Sequence, residues 1–218
     1  MNKIYFLFLM TLLPLQASAE TAEINGIYYD LDPEAKTATV ISKSNGKYEG
    51  DIVIPKTVTF KNVICKVTSI RYEAFYYCQN LTSVTIPNGI NSIGNNAFNS
   101  CSTLTSITIP NSVASIGENA FYGTPWYNNK PDGIVYAGKV LYSYKGTMPE
   151  GTKISIKDGT RGIAGRAFEN RYNLTSVTIP NSITSIGSSA FYNCIGLTSI
   201  TIPNNVTSIN YQTFSGCI

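Results

Sequence analysis

Apolar residues recur along this chain in a fixed order. Leu81, Val84, Ile86, Ile90, Ile93, Ala97, Phe98 and Cys101 are followed by Leu104, where the series begins again, and Ser, Thr, Asn and Gly fill the positions between. The phenylalanines mark the period. Phe75, Phe98 and Phe121 stand 23 residues apart, as do Phe168, Phe191 and Phe214, while 47 residues separate Phe121 from Phe168. Val84 and Ile86 alternate with Ser83 and Thr85, the pattern of a half-buried strand. Pro87 and Asn88 break it, because proline cannot donate to a ladder and asparagine suits a turn. A second extended piece then carries Ile90 and Ile93, Gly94 permits a bend, and "NNAFNSC" reads as a single helical turn. Self-similarity at this length predicts a mainly β solenoid with short helical turns and a parallel sheet. A single turn cannot bury enough apolar surface to offset the ordering of its own backbone, so each turn needs neighbours.

The pattern lapses in three places. Residues 20–66 read as an N-terminal cap. There "GIYYDLDPEAKTATVIS" forms two strands around "DPEAK", and "IVIPKTVTFKNVICKVTSI" holds a hairpin at Lys61-Asn62. Residues 122–150 form an irregular insert with the single Trp and two short strands about Ala137-Gly138. The solenoid proper is expected over 67–218. Its series stops at Ile218 before another Leu, so either the chain is a truncated member or its last core edge, at the C-terminal end, is expected to be covered by a partner or by another copy through self-association.

The phrase "LTSVTIPNSITSIGSSAFYNC" (174–194) resembles the BspA-like leucine-rich repeat of bacterial surface and secreted proteins, and the likeness runs from Val67 to Cys217. The resemblance implies a right-handed leucine-rich-repeat solenoid that binds other molecules, often host proteins, at the cell surface. It brings no catalytic residues, cofactor or metal with it.

Composition narrows the partners. The chain carries 16 Lys+Arg against 13 Asp+Glu, no His, and no basic run, which gives no footprint for nucleic acid or an anionic membrane. "MNKIYFLFLMTLLPLQASAE" has a basic start at Lys3, an apolar run from Ile4 to Leu13 and a small-residue site ending at Ala19. It reads as a secretory signal peptide over 1–19, too short to span a membrane. No cysteine follows the cleavage site to take a lipid anchor, so the mature chain is expected to be secreted or at the cell surface.

Candidate sites emerge from these features. Ser83, Thr85, Ser106, Thr108, Ser176, Thr178, Ser199 and Thr201 are expected to project outward in rows. They would form a flat, weakly polar face for protein or glycan, or serve strand formation and solubility alone. Trp126, Tyr127, Tyr136, Tyr142 and Tyr144 gather in the insert, as interface or sugar-stacking aromatics or as filling for an irregular core. Cys78, Cys101, Cys194 and Cys217 share one slot, three residues after each Phe, and can be read as inter-turn disulfides or as buried free thiols. Without His or C-x-x-C spacing they do not make a metal site. Carboxylates are scattered. The nearest pair, Asp30 and Asp32, would share one strand face, and a solvated turn explains it as well as a weak cation site. The reading is a non-enzymatic scaffold that binds an extracellular or host protein, or a glycan. A structural module of a surface assembly and a glycan-acting enzyme stand as the alternatives.

Overall fold

A computed structural model describes residues 20–217; the leader expected over 1–19 and the edge residue Ile218 lie outside the described residues. Three strands open the chain, β1 (Glu20–Ile24), β2 (Ile27–Asp32) and β3 (Thr37–Ile41). They pair as an antiparallel meander. Asn25 and Gly26, at φ 51° and 80°, make the tight turn between the first two, since both central residues of such a hairpin turn need positive φ. Strands β4 (Gly50–Val53), β5 (Thr57–Phe60) and β6 (Val63–Ile70) come next. Phe60 pairs with Val63 across Lys61 and Asn62, both at positive φ, so β5 and β6 form a hairpin. The other side of β6 pairs parallel with β3, which ties the meander to the repeats.

From there the pairing is parallel, apart from one hairpin. Strands β7 (Leu81–Thr85), β8 (Ser92–Ile93), β9 (Ser106–Thr108) and β10 (Ser115–Ile116) extend two sheets side by side. In one, Ile70, Ile93 and Ile116 lie in register across β6, β8 and β10. In the other, Val84 sits between Ile52 of β4 and Ile107 of β9. A short helix, α1 (Pro125–Asn128), comes next, capped by the Thr124 hydroxyl, which accepts from the Tyr127 N–H, with Pro125 in the first turn. The antiparallel hairpin β11 (Gly133–Ala137) and β12 (Val140–Lys145) turns at Gly138, φ 60°. The last strands are β13 (Thr152–Ser155), β14 (Gly162–Ile163), β15 (Leu174–Thr178) and β16 (Ser185–Ile186). They run parallel as β12-β14-β16 and β13-β15. The described chain is strand-rich, and α1 is its single α-helix.

The corners around each phenylalanine differ from the expected helical turn. Asn96 and Ser100 both have positive φ, 54° and 60°, which a right-handed helix cannot accommodate. Instead, alternate N–H groups point to the next turn. Those of Asn96, Phe98 and Ser100 donate to the carbonyls of Glu118, Ala120 and Tyr122 at 2.8, 2.7 and 2.8 Å. Those of Ala97, Asn99 and Cys101 close local turns. The same ladder recurs at Phe75, Phe168 and Phe191. Gly94 serves close approach rather than a bend, because a Cβ there would lie 2.3 Å from the Tyr72 nitrogen.

Inside the stack the phenyl rings lie face to face. Phe75–Phe98 and Phe98–Phe121 centroids are 4.8 and 5.5 Å apart, and Phe168–Phe191 and Phe191–Phe214 are 5.3 and 5.4 Å apart. Between Phe121 and Phe168 the two sides of the stack fall out of step. On one side the Gly165 N–H donates straight to the Ile116 carbonyl, 3.0 Å, as Gly117 does to Ile93 and Gly187 to Ile163. On the phenylalanine side an extra layer from β12 is wedged in, and the Tyr144 N–H donates to Ala167 at 2.9 Å. The core is accordingly two clusters that meet at this wedge.

Candidate functional site

The outward hydroxyls form two separate groups rather than one continuous face. On β4, β7 and β9, Asp51, Ser83 and Ser106 lie in register, and so do Val53, Thr85 and Thr108. Thr85, Ser106 and Thr108 are exposed. Ser83 is half-buried and its hydroxyl donates to Asp51 Oδ1 at 2.6 Å, beside Thr82 at 2.7 Å. These two hydroxyls hold the Asp51 carboxyl below its ordinary pKa. Ser176 and Thr178 lie on β15 beside Lys153 and Ser155, beyond the wedge. Ser199 and Thr201 are exposed in a segment with no assigned strand.

The insert aromatics divide by burial. Tyr142 is only 4% exposed, so it is core rather than a surface presented to a ligand. Its ring meets Phe121 edge-on at 5.2 Å, and its hydroxyl accepts from the Phe121 N–H at 3.0 Å. The alternating strand places Tyr142 inward where the neighbouring layer lacks a phenylalanine. Burial pushes its phenol well above the ordinary range. Trp126 is half-buried, tilted against Phe121 at 4.7 Å, with the Lys130 ammonium 4.8 Å from its ring. Tyr136 is half-buried, and its hydroxyl accepts from the Lys157 N–H on the far side of the hairpin. Tyr127 and Tyr144 are half-buried and line a common hollow. The structure thus brings Tyr127, Tyr144 and the buried Tyr142 to one hollow and leaves Trp126 and Tyr136 outside it.

That hollow gathers residues which the sequence did not single out, Tyr122, Arg166 and Glu169 among them. Its most telling member is Arg171, which stands in the cysteine slot three residues after Phe168. In regular layers Cys101 and Cys194 donate their thiols to the carbonyls of Phe75 and Phe168 at 2.9 and 3.1 Å. Arg171 makes the equivalent bond to the Tyr144 carbonyl at 2.6 Å and a second to Gly146 at 3.1 Å. The break in the cysteine column at 171 was the available signal.

All five cysteines are free, four of them buried. Burial pushes the Cys194 thiol up to about 12. For Cys101 the hydrogen bond shared with Cys78, and then burial, push the thiol far above its ordinary value. Asp30 pairs with Arg71, and Asp32 accepts the Ala35 N–H at 2.8 Å, so both carboxylates serve the fold. Among the described residues no three His, Cys, Asp or Glu side chains gather where they could hold a metal ion, and no helix is long and apolar enough to cross a membrane.

Parallel strands joined by tight corners, with one stacked phenylalanine and one inward leucine per layer, define a leucine-rich repeat protein. The family described as BspA type leucine rich repeat region matches residues 55–130 and 141–218 in 6 copies, well over half of the chain, and the chain belongs to that family. No curated protein matches it. Among solved structures it is similar to a leucine-rich repeat protein from Bacteroides ovatus, at 29% identity and a TM-score of 0.49, over 90% of this chain and 45% of that one. The chain therefore spans less than half of that relative. It is also similar to the T. pallidum leucine-rich repeat protein, at 24% identity, TM-score 0.47, over 91% of this chain and 78% of that one. A leucine rich cell surface protein from Faecalibacterium prausnitzii is similar at 22% identity, TM-score 0.38, over 91% and 80%.

Proposed function

We propose that the chain is an exported scaffold that binds an extracellular protein or glycan and performs no catalysis. In this reading residues 67–218 are a right-handed solenoid of 23-residue turns, closed by a cap at 20–66 and interrupted at 122–150, and residues 1–19 direct export. The observation that carries it is the face of β4, β7 and β9. Thr85 and Thr108 are exposed there in register, with Ser106 exposed on the same strand as Thr108, and the core needs nothing from their side chains. A rigid, parallel-stacked face of this kind costs little to order on binding, which is what a recognition surface requires. Membership of a repeat family of bacterial surface proteins supports the same reading.

The test uses residues 20–218 immobilised against host extracellular proteins and mucin glycans. A partner is expected to be captured saturably, and the paired Thr85→Lys and Thr108→Lys variant is expected to lose it with an unchanged thermal midpoint. No capture, or capture that survives both this pair and Trp126→Ala, overturns the reading.

A further inference from the structure

The hollow beside β12 has a cause in the fold. Tyr144 follows Phe121 by 23 residues, and its N–H bond to Ala167 is the bond that Phe98 makes to Ala120, so it occupies a phenylalanine slot. Its ring does not join the column. Tyr142 fills the core instead, while Tyr144 is half-buried at the surface. An opening of about 150 Å³ is left, walled by Tyr122, Tyr127, Tyr144, Arg166, Glu169 and Arg171.

The walls are fixed before any ligand arrives. The Tyr127 hydroxyl bonds Ser143 Oγ at 2.9 Å, and its ring stands edge-on to Tyr142 at 5.3 Å. Arg171 is held by two carbonyls, with its guanidinium 5.5 Å from the Tyr144 ring centre. Arg166 is 2.7 Å from Glu118 and 3.7 Å from Glu169. Tyr122, 61% exposed, stands at the rim. The site therefore offers aromatic rings, guanidinium donors and a carboxylate acceptor within one small concavity.

We propose that this hollow is a saccharide subsite that takes one neutral pyranose ring. The C–H face of a sugar stacks on tyrosine, and its neighbouring hydroxyls donate to Glu169 and accept from guanidinium N–H groups. The charge balance selects a neutral ligand, because the two guanidiniums, Arg166 and Arg171, stand against two carboxylates, Glu118 and Glu169, both paired with Arg166, while Arg171 donates to carbonyls. The size selects a single ring, since the opening is well below the ~300 Å³ at which whole drug-sized ligands are enclosed. The inference deepens the binding-scaffold reading and rests on it, but it fails separately.

Saturation-transfer NMR on residues 20–218 tests it, with methyl glucoside, galactoside and mannoside and their N-acetylamino counterparts as probes. Transfer from tyrosine ring protons to at least one probe is expected. Tyr122→Ala and Glu169→Gln should each weaken it about fivefold or more, the scale of one lost aromatic or charged contact. Their thermal midpoints should hold, and the Thr85→Lys and Thr108→Lys pair should bind the sugar normally. Transfer to no probe, transfer undiminished in both pocket variants, or preference for methyl glucuronide or sialic acid overturns the subsite. Silence from the sugars beside intact partner capture on the hydroxyl face removes the subsite and leaves the scaffold reading standing.

Discussion

Tyr29 and Tyr48 bury their phenols under opposite conditions. The Tyr48 hydroxyl donates to the Ile41 carbonyl at 2.8 Å and accepts from the Tyr28 N–H at 2.9 Å, whereas the Tyr29 hydroxyl is buried with no partner among the described residues. Tyr48→Phe strands two backbone groups and should cost about 1–3 kcal/mol, while Tyr29→Phe removes an uncompensated desolvation and should be neutral or stabilise by about 1 kcal/mol. Urea titrations of the two variants check the contrast. Burial also makes the protein sensitive to alkali. It raises Tyr29 and Cys194 to about 12, while the unfolded chain ionises thiols near ~8.5 and phenols near ~10. Above pH ~8.5 the unfolded chain therefore holds fewer protons than the folded one, and stability falls as pH rises. This contribution is complete below that pH and disappears toward pH 12. The thermal midpoint should drop steadily between about pH 9 and pH 11, and less steeply in Cys194→Ala.

At the scale of the corner, stacking rather than flexibility dictates glycine. A Cβ on Gly187 would lie 2.4 Å from the Gly165 nitrogen, and one on Gly117 2.4 Å from the Asn95 nitrogen. Both obstacles are backbone in the adjacent layer, so neither can rotate away. Gly187→Ala should cost about 1–3 kcal/mol as an overpacking change, read as a fall in the urea midpoint at constant slope. The strand columns were legible in the sequence because alternation puts Val84 and Ile86 on the buried face whatever the corners do, while Leu81, an odd three residues before Val84, joins them through the register shift at Thr82. The corners were not. Their left-handed positions are Asn96 and Ser100 in one layer but Glu73 and Tyr77 in another, so no residue type announces them. The inward-facing alternation cannot reveal where layers fall out of step, and that is why the hydroxyl rows were expected to be continuous. The hollow was half legible. Tyr127 and Tyr144 stood out as aromatics, but Arg166 and Glu169 reach it only through the stacking of a layer 22 or more residues later.

Across the whole molecule the apolar interior is two bodies joined along β12. Val140 and Tyr142 pack into the N-terminal cluster, and Leu141 between them packs into the C-terminal one, as alternation along a strand requires. In stacked repeats, stability is a sum of each layer and its contacts with the next, so a weak junction lets the two sides unfold separately. Tyr142 is the side chain whose loss should weaken this junction most, for it fills the space beside Phe121 and holds the Phe121 N–H. The single Trp, Trp126, lies in the N-terminal cluster at the joint and reports on that side alone, whereas circular dichroism reports on both. Wild-type urea transitions tracked by the two signals should coincide. Tyr142→Ala should lower the fluorescence midpoint by the equivalent of about 3–5 kcal/mol, the usual cost of emptying a buried aromatic site, and should split the dichroism curve into two steps. A variant whose two signals still coincide would mean that the Gly165–Ile116 side, which bypasses the wedge, is enough by itself to couple the halves.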